Sequence, residues 1–476
     1  MATVRLSRID IENIKNVQSG SINLIQAVEK SSKMGFDEYK SAIESMAIKG
    51  IYGQNGSGKT ACIDVLQILK YLLCGMPLPN EIADFIYIGK DSAKLSYDFK
   101  IVLGTYVVDI YYTVVIKRTE NIVGNQGLSH SGYKTIVDKE VLSARIHSEG
   151  KTQRRVTFIH VNDSSVMIPD NKMKDLFGDT SYVAFDELEI DRKVTRASSR
   201  SFIFSSEFLS RILGDNKDNS IYKEVINELV GFGNKNLFVI PVSHTGLIYM
   251  NPFLPLEISI ESEAGGGAAG TIPILLDKPN VLPLPLINYT KQVINSMNIV
   301  LKQIIPGLTI SVRELGIEMT NEGVSGQRIE FLSEKNRQAI PFKYESDGIK
   351  KIVSILSLLI SIYNRENVTV VIDELDAGIF EYLFGELLYI LQEGGKGQLI
   401  FTSHNLRPLE TLHKNNIAFT TSNPVNRYIA MTGVKSTNNL RDFYLREILV
   451  DGQNESVYQE TSNARISYAF RKAGAK

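Results

Sequence analysis

One stretch constrains this chain more than any other: Gly53-Gln54-Asn55-Gly56-Ser57-Gly58-Lys59-Thr60, which fits the pattern G-x-x-x-x-G-K-[ST]. Glycines at those positions let backbone N–H groups converge on phosphate oxygens without interference from a Cβ. In this pattern Lys59 reaches the β- and γ-phosphates of a nucleotide, and the Thr60 hydroxyl joins a Mg²⁺ shell. The flanks are those the pattern requires. Ile48-Lys49-Gly50-Ile51-Tyr52 reads as a strand, and Ile63, Leu66, Leu69, Leu72 and Leu73 recur at helical spacing. Gly75, Pro77 and Pro79 then stop the helix, whose positive end points at the loop. The expected nucleotide-binding positions are Gly53, Asn55, Gly56, Ser57, Gly58, Lys59, Thr60 and Ala61.

A second signal is Val368-Thr369-Val370-Val371-Ile372 followed by Asp373-Glu374. A mostly β-branched run ending in two acids reads as a buried parallel strand that delivers carboxylates at its C-terminal edge, where ligands sit in open α/β sheets. Asp373 is expected to hold the metal through water, and Glu374 to polarise the attacking water as general base. Phe380, Leu383, Phe384, Leu387, Leu388 and Leu391 form the next helix, and a strand over 398–403 leads to His404. Parallel neighbours are the usual outcome of that order, so His404 is placed to hydrogen-bond the γ-phosphate.

A fourth segment opens a helix with Tyr344-Glu345-Ser346-Asp347-Gly348; its apolar face is Ile349, Val353, Leu356 and Ile360. Ser346 or Asp347 is the N-cap, and Gly348 lets a phosphate approach the backbone. Two anion-binding helix ends serve one nucleotide only from opposite sides, which predicts a site shared between subunits.

Between these motifs the pattern changes several times. Leu95 to Leu103 and Tyr106 to Ile116 alternate strictly around Gly104, an antiparallel hairpin with one buried face. A lysine-bearing helical segment is read at 27–47, a helical charged region at about 165–235, a Gly-rich loop at 261–270 and a helix at about 286–305. The division expected is therefore an α/β head interrupted by a mainly helical insertion. Its parts are 1–165 (phosphate loop and antiparallel lobe), 166–305 (insertion), 306–430 (second part of the head) and 431–476 (tail).

Composition narrows the partners. In 476 residues, 52 Lys+Arg balance 53 Asp+Glu, a formal net charge of −1, so any nucleic-acid contact must be local rather than a global attraction. Two cysteines, Cys62 and Cys74, provide neither a disulfide framework nor a four-cysteine zinc site. No apolar run approaches the ~18–20 residues of a membrane span. The segment Met1 to Asn13 lacks the apolar core of a secretory signal, and the expectation is a cytoplasmic protein without membrane contact.

Ile11-Glu12-Asn13-Ile14-Lys15-Asn16-Val17 resembles the first-strand pattern of the SMC, Rad50 and RecF-type ATPases. With the loop at 53–60, the Ser346-Asp347-Gly348 signature, the acids after 368–372, a D-loop at 375–378 and His404, the set resembles an ABC-type ATPase head, in particular the OLD-like (AAA15) group. The resemblance implies ATP and Mg²⁺ as cofactors, with Thr60 and Asp373 at the metal. It further implies Asn13 and Lys15 as nucleotide contacts, Asp376 in the D-loop, and Ser346, Asp347 and Gly348 acting in trans. The signature departs from the transporter form, and Phe380 stands where a histidine is usual.

The string from Asp373 to Leu388 and the chain size look most like the AriA-type ATPase subunits of PARIS anti-phage systems. That likeness implies a homo-oligomer of paired heads, a hexamer among the options, holding a separate TOPRIM-type nuclease effector (AriB-like). It also implies an acidic, DNA-mimicking phage protein as trigger. The acids after His404 are too scattered for a fused nuclease of that type. Rad50 or SMC function would need long heptad arms, for which the insertion leaves no room. Arg192, Arg196 and Arg200, four apart with Lys193 beside them, would make one basic stripe on a helix, suited to DNA or to an acidic protein. The competing readings are a RecF-like ATPase acting directly on DNA and a scaffold in which ATP mainly joins subunits.

Overall fold

A computed structural model describes residues 2–25, 35–120, 132–149, 151–178, 184–213, 220–241, 247–250, 272–320, 323–433, 439–450 and 452–474. The chain begins with β1 (Thr3–Ile14), β2 (Val17–Asn23), α1 (Phe36–Glu44), β3 (Ala47–Tyr52) and α2 (Lys59–Leu73). Strands β4 (Ser92–Leu103), β5 (Tyr106–Glu120), β6 (Tyr133–Ser148), β7 (Lys151–Thr152), β8 (Val156–Val161) and β9 (Val166–Met167) follow. The middle supplies α3 (Asp170–Phe177), α4 (Ala184–Ala197), α5 (Ser206–Ile212) and α6 (Ile221–Gly231). After these come β10 (Leu237–Ile240), β11 (Leu247–Met250), β12 (Ile272–Leu275), β13 (Asn280–Pro283) and α7 (Leu284–Ile304). Next are β14 (Thr309–Met319), β15 (Ser325–Lys335), β16 (Gln338–Pro341), α8 (Asp347–Asn364), β17 (Thr369–Ile372) and α9 (Glu381–Gly394). Last are β18 (Gln398–Thr402), α10 (Pro408–Thr411), β19 (Ile417–Thr420), β20 (Tyr428–Ile429), α11 (Leu440–Val450) and α12 (Asn463–Gly474).

Two large sheets divide the work. The antiparallel sheet has the order β2-β1-β4-β5-β6-β8-β9, and the second sheet runs β10-β17-β18-β3-β19-β20. In the second, β10, β17, β18, β3 and β19 are parallel. This is the α/β class expected, an antiparallel lobe joined to a parallel one. A smaller antiparallel sheet, β13-β15-β14, carries β16 on β15. Among the described residues no helix is long and apolar enough to cross a membrane.

The 95–116 hairpin forms as its alternation requires, with Leu103 opposite Tyr106 across Gly104, whose φ of 53° suits a tight turn. Its second face is not simply solvated. Val107, Val108, Asp109 and Ile110 are all buried, because Tyr39 and Ile43 of α1 pack on Val102 and Val107 from that side. Among the described residues of the lysine-bearing segment, 36–44 are helical; its residues 27–34 lie outside the described residues, as does the 261–270 loop.

The expected insertion at 166–305 is not a separate body. Its strand β10 pairs with β17 and forms an edge of the parallel sheet, with Leu237 opposite Thr369. Phe202, Ile203, Phe204 and Phe208 are buried in the core that also holds Tyr97 and Tyr112 of the hairpin. The buried Glu140 carboxylate ties them together, accepting from Tyr112 Oη (2.7 Å), Ser201 Oγ (2.6 Å) and the Phe202 N–H (2.7 Å). Nor does the expected tail from 431 stand apart, since Leu440, Phe443 and Tyr444 join the second core and Tyr444 stacks on Phe419 at 4.8 Å.

Two buried polar side chains lock the lobes. Gln398 of β18 brackets Leu6 of β1, accepting its N–H (3.2 Å) and donating to its carbonyl (2.7 Å). Arg5, fully buried, donates to the carbonyls of Ile43, Glu44 and Ser45 at the end of α1, and to those of Glu366 and Lys396. Burial brings its guanidinium down to about 10.

Candidate nucleotide site

Strand β3 lies between β18 and β19, so the loop after it emerges at the carboxyl edge of the parallel sheet. Positive φ angles at Gly53 (152°), Gly56 (76°) and Gly58 (99°) fold that loop, and a Cβ on Gly53 would sit 1.7 Å from Thr420 Oγ1. Lys59 begins α2 and is buried, its Nζ donating to the Gly53 carbonyl (2.8 Å) and the Gln54 carbonyl (3.1 Å). Tyr428 Oη donates to the Gly58 carbonyl at 2.7 Å, bracing the loop from β20. Ser57 turns its side chain inward. Its hydroxyl donates to the Gln54 carbonyl (2.5 Å), and its N–H is bonded to the same carbonyl (3.2 Å).

Strand β17 delivers Asp373 and Glu374 to the same edge. Asp373 is buried, and its Oδ1 accepts from Thr402 Oγ1 of β18 (2.5 Å), which in turn accepts the Glu374 N–H (2.8 Å). Glu374 has φ 47°, a left-handed conformation costly for a residue with a Cβ. The turn it starts continues to Asp376, whose Oδ2 accepts the N–H groups of His404 (3.1 Å) and Asn405 (2.9 Å). Asp376 therefore ties the loop after β18 to the acidic turn after β17.

The elements meet around one cleft of about 430 Å³. Asn55, Gly56, Gly58, Lys59, Thr60 and Ala61 form one wall, Asp373, Glu374 and His404 another, and Lys15 with Asn16 the rim. Asn13 does not line the cleft; its carbonyl accepts the Tyr87 N–H at 3.0 Å, and Asn16, which does line it, is bonded to the Gly56 carbonyl. Lys15 pairs with Asp64 and lies 4.2 Å from the Phe85 ring centroid. Burial raises the Asp64 carboxyl, opposed by Lys15.

A basic group that the sequence reading missed is Lys351. It is 4 % exposed, and its Nζ has no hydrogen-bond partner among the described residues. Burial lowers its affinity for the proton, while Asp373, Glu374 and Asp376 act in the opposite sense. The same three carboxylates act on Lys59, which burial also lowers. Two ammonium groups thus oppose three acids at the sheet edge. The sequence did carry a signal, because Lys351 heads the helical stripe Ile355, Leu358 and Ile362, all buried.

The second helix end is where expected, with Ser346 as the cap: its Oγ accepts the Ile349 N–H. It does not face its own cleft. Gly348 packs on the acidic turn, so closely that a Cβ there would lie 2.1 Å from the Gly378 carbonyl oxygen, while the Asp347 side chain is fully exposed. The basic stripe is not free. Arg192 is buried against Glu189 and the carbonyls of Asp163 and Ser164, Arg196 pairs with Asp138 (2.7 Å) and Arg200 with Glu207 (2.6 Å). Helix α4 ends at Ala197, so Arg200 lies beyond it, and only Lys193 points outward. Arg192 and Arg196 fasten α4 to the antiparallel lobe, while Arg200 holds α5.

The site's oxygen donors fit a magnesium ion. Thr60 and Asp373, from two elements, both present hard oxygen atoms in the cleft, and Mg²⁺ ordinarily completes its shell with phosphates and water rather than a protein cage.

No protein-family model and no curated protein matches the chain. Among solved structures it is similar to the SMC head bound to the C-winged helix domain of ScpA. The identity is 11 %, covering 90 % of this chain and 97 % of that one, with a TM-score of 0.38. The SMC head domain from Thermotoga maritima gives 14 % identity, 90 % and 99 % coverage and 0.35. The recombination mediator RecF with ATP gives 12 %, 84 % and 94 %, and 0.34.

Proposed function

We propose that the chain is an ABC-type ATPase that hydrolyses MgATP between paired heads, using the nucleotide state to hold and release a separate nuclease effector in bacterial anti-phage defence, in the manner of AriA in PARIS systems. The observation that carries the reading is the single cleft joining the phosphate loop, the acids after β17 and His404. The anti-phage role rests on the sequence resemblance.

Within the cleft, Lys59 moves from the loop carbonyls to the β- and γ-phosphates, an exchange between hydrogen-bond acceptors. Glu374, at the mouth of the acidic turn, takes the proton from the attacking water, and His404 donates to the γ-phosphate. Bound Mg²⁺ would neutralise charge on the phosphates, held by Thr60 and, through water, Asp373. Ser346 and Gly348 are offered to the nucleotide of a second head. Arg192, Arg196 and Arg200, engaged with Glu189, Asp138 and Glu207, give no support to a reading based on direct DNA attraction.

Three measurements test this. Wild type should turn over MgATP; Lys59→Ala should lose nucleotide binding; Glu374→Gln should bind ATP and lose about 10²–10⁴-fold in turnover. Undiminished turnover by Glu374→Gln removes the assigned base. Turnover stimulated by DNA, with a salt-dependent affinity, would instead favour a RecF-like activity. Co-purification of a TOPRIM-type protein expressed from an adjacent gene tests the effector role.

A further inference from the structure

The end of the described chain is anchored at the phosphate loop and then leaves the body. Gln459 is clamped to Gln54, donating its N–H to Gln54 Oε1 (3.0 Å) while its carbonyl accepts from Gln54 Nε2 (3.4 Å). Just before it, Val457 is buried, and Glu455 accepts from Asn423 and Asn426 (both 3.0 Å). Beyond this anchor every residue of α12 is exposed. The helix is nevertheless amphipathic. Ile466, Ala469, Phe470 and Ala473 share one face, Phe470 being 76 % exposed, and Arg465 and Lys472 flank it.

A face of the opposite character lies on α9, the helix that follows the acidic turn. Phe384, Leu388 and Leu391 bury one side of it. The other side exposes Tyr382, Tyr389 and Ile390, with Glu386 and Glu393 among them. Aromatic and aliphatic surface interleaved with acids is what a basic, apolar helix face requires.

We propose that α12 of one copy docks on the exposed face of α9 of a second copy. Ile466 and Phe470 pack on Tyr389 and Ile390, and Arg465 and Lys472 meet Glu386 and Glu393. Charge complementarity selects this occupant: the two faces are opposite in sign, alike in apolar content, and both exposed among the described residues. In a two-fold pair of heads the contact is made twice, α12 of each copy on α9 of the other, as an isologous interface requires. Two helices of this length bury less than the roughly 1,200–2,000 Å² of a stable interface, so the contact acts as a latch on a larger association. Its position supplies that association. The latch starts beside the phosphate loop of one copy and ends beside the acidic turn of the other, the arrangement in which two heads share nucleotides. In this respect the inference rests on the paired-head reading above.

The test is sedimentation of the full chain with and without a non-hydrolysable ATP analogue. Wild type should self-associate more tightly with the analogue. Arg465→Glu/Lys472→Glu should weaken association about tenfold, and Glu386→Arg/Glu393→Arg should do likewise. The four changes together should restore it, with unchanged circular dichroism and melting throughout. A monomeric wild type under both conditions overturns the proposal, and so does a combined variant no better than either pair. Weakening by the α12 pair alone moves the seat off α9 and also overturns it. Fluorescent-nucleotide binding, measured in parallel, separates the outcomes: loss of binding with intact charge-swap rescue counts against the ATPase reading, not the latch.

Discussion

Substituting Lys351 with methionine changes side-chain volume little, and so isolates one quantity, the charge on a buried nitrogen. That nitrogen has no hydrogen bond among the described residues, and burial outweighs the pull of Asp373, Glu374 and Asp376, since its proton affinity is lowered on balance. A group whose charged form is disfavoured in the folded state subtracts from stability. Lys351→Met should therefore stabilise the nucleotide-free protein, by about 1–3 kcal/mol on the scale of a buried donor left unsatisfied. The gain should be complete at neutral pH. It should shrink as pH rises toward 10.5, the unperturbed lysine value, because the folded-state amine, which holds its proton less tightly, deprotonates before the unfolded one and the penalty of its buried charge disappears. Denaturant titration of both proteins at several pH values measures this directly. Turnover should fall even as stability rises, because the acids lose a counter-charge that holds their geometry. A loss of more than 1 kcal/mol on substitution would refute the reasoning, for it would mean that the ammonium is a net stabilising partner of the acids.

Gly348→Ala places a methyl 2.1 Å from the Gly378 carbonyl, so α8 and the acidic turn must part. Thermal unfolding should show a loss of about 1–3 kcal/mol, and turnover should drop more than nucleotide affinity. At Glu374, φ 47° predicts that Glu374→Gly is more stable than Glu374→Ala by about 0.5–1 kcal/mol, checked by denaturation of the two inactive variants. Burial, with Asp10 nearby, pushes the Asp98 carboxyl up to about 6 from 3.8. The folded state then holds this proton more tightly than the unfolded chain, so wild-type stability falls as pH rises through that interval. Asp98→Asn should stabilise by about 1 kcal/mol above pH 6, allowing for screening of its exposed part, and change little near pH 4.

The elements legible in the sequence were those with a strong period or a motif: the hairpin around Gly104, α2 after the phosphate loop, α8, and the strand ending in Asp373. Local patterns identify an element but not its neighbours. Leu237 to Ile240 is a four-residue apolar run with nothing to distinguish a stray strand from an edge of the central sheet, so the segment around it was read as an insertion. Arg192, Arg196 and Arg200 have the spacing of a solvent stripe, yet their partners Glu189, Asp138 and Glu207 decide where they point, and Asp138 lies far back in the chain. Ser57 matched a motif position, and the Gln54 carbonyl holds its hydroxyl. Lys351 was the converse case, a charge hidden on an apolar stripe and outweighed in the reading by the glycine three residues before it.

The long-range ties at Arg5 and β3 set a timetable for synthesis. The Arg5 guanidinium needs the carbonyls of Glu366 and Lys396, and β3 is flanked on both sides by strands that begin at Gln398 and Ile417. At roughly 5–20 residues per second, a ribosome takes on the order of 20–80 s to span that interval. For that time the phosphate-loop strand has two open edges and the first strand carries an unanswered arginine. The nascent chain must therefore be kept from pairing with other chains until residues 398–420 have been made, and the nucleotide site cannot form before then.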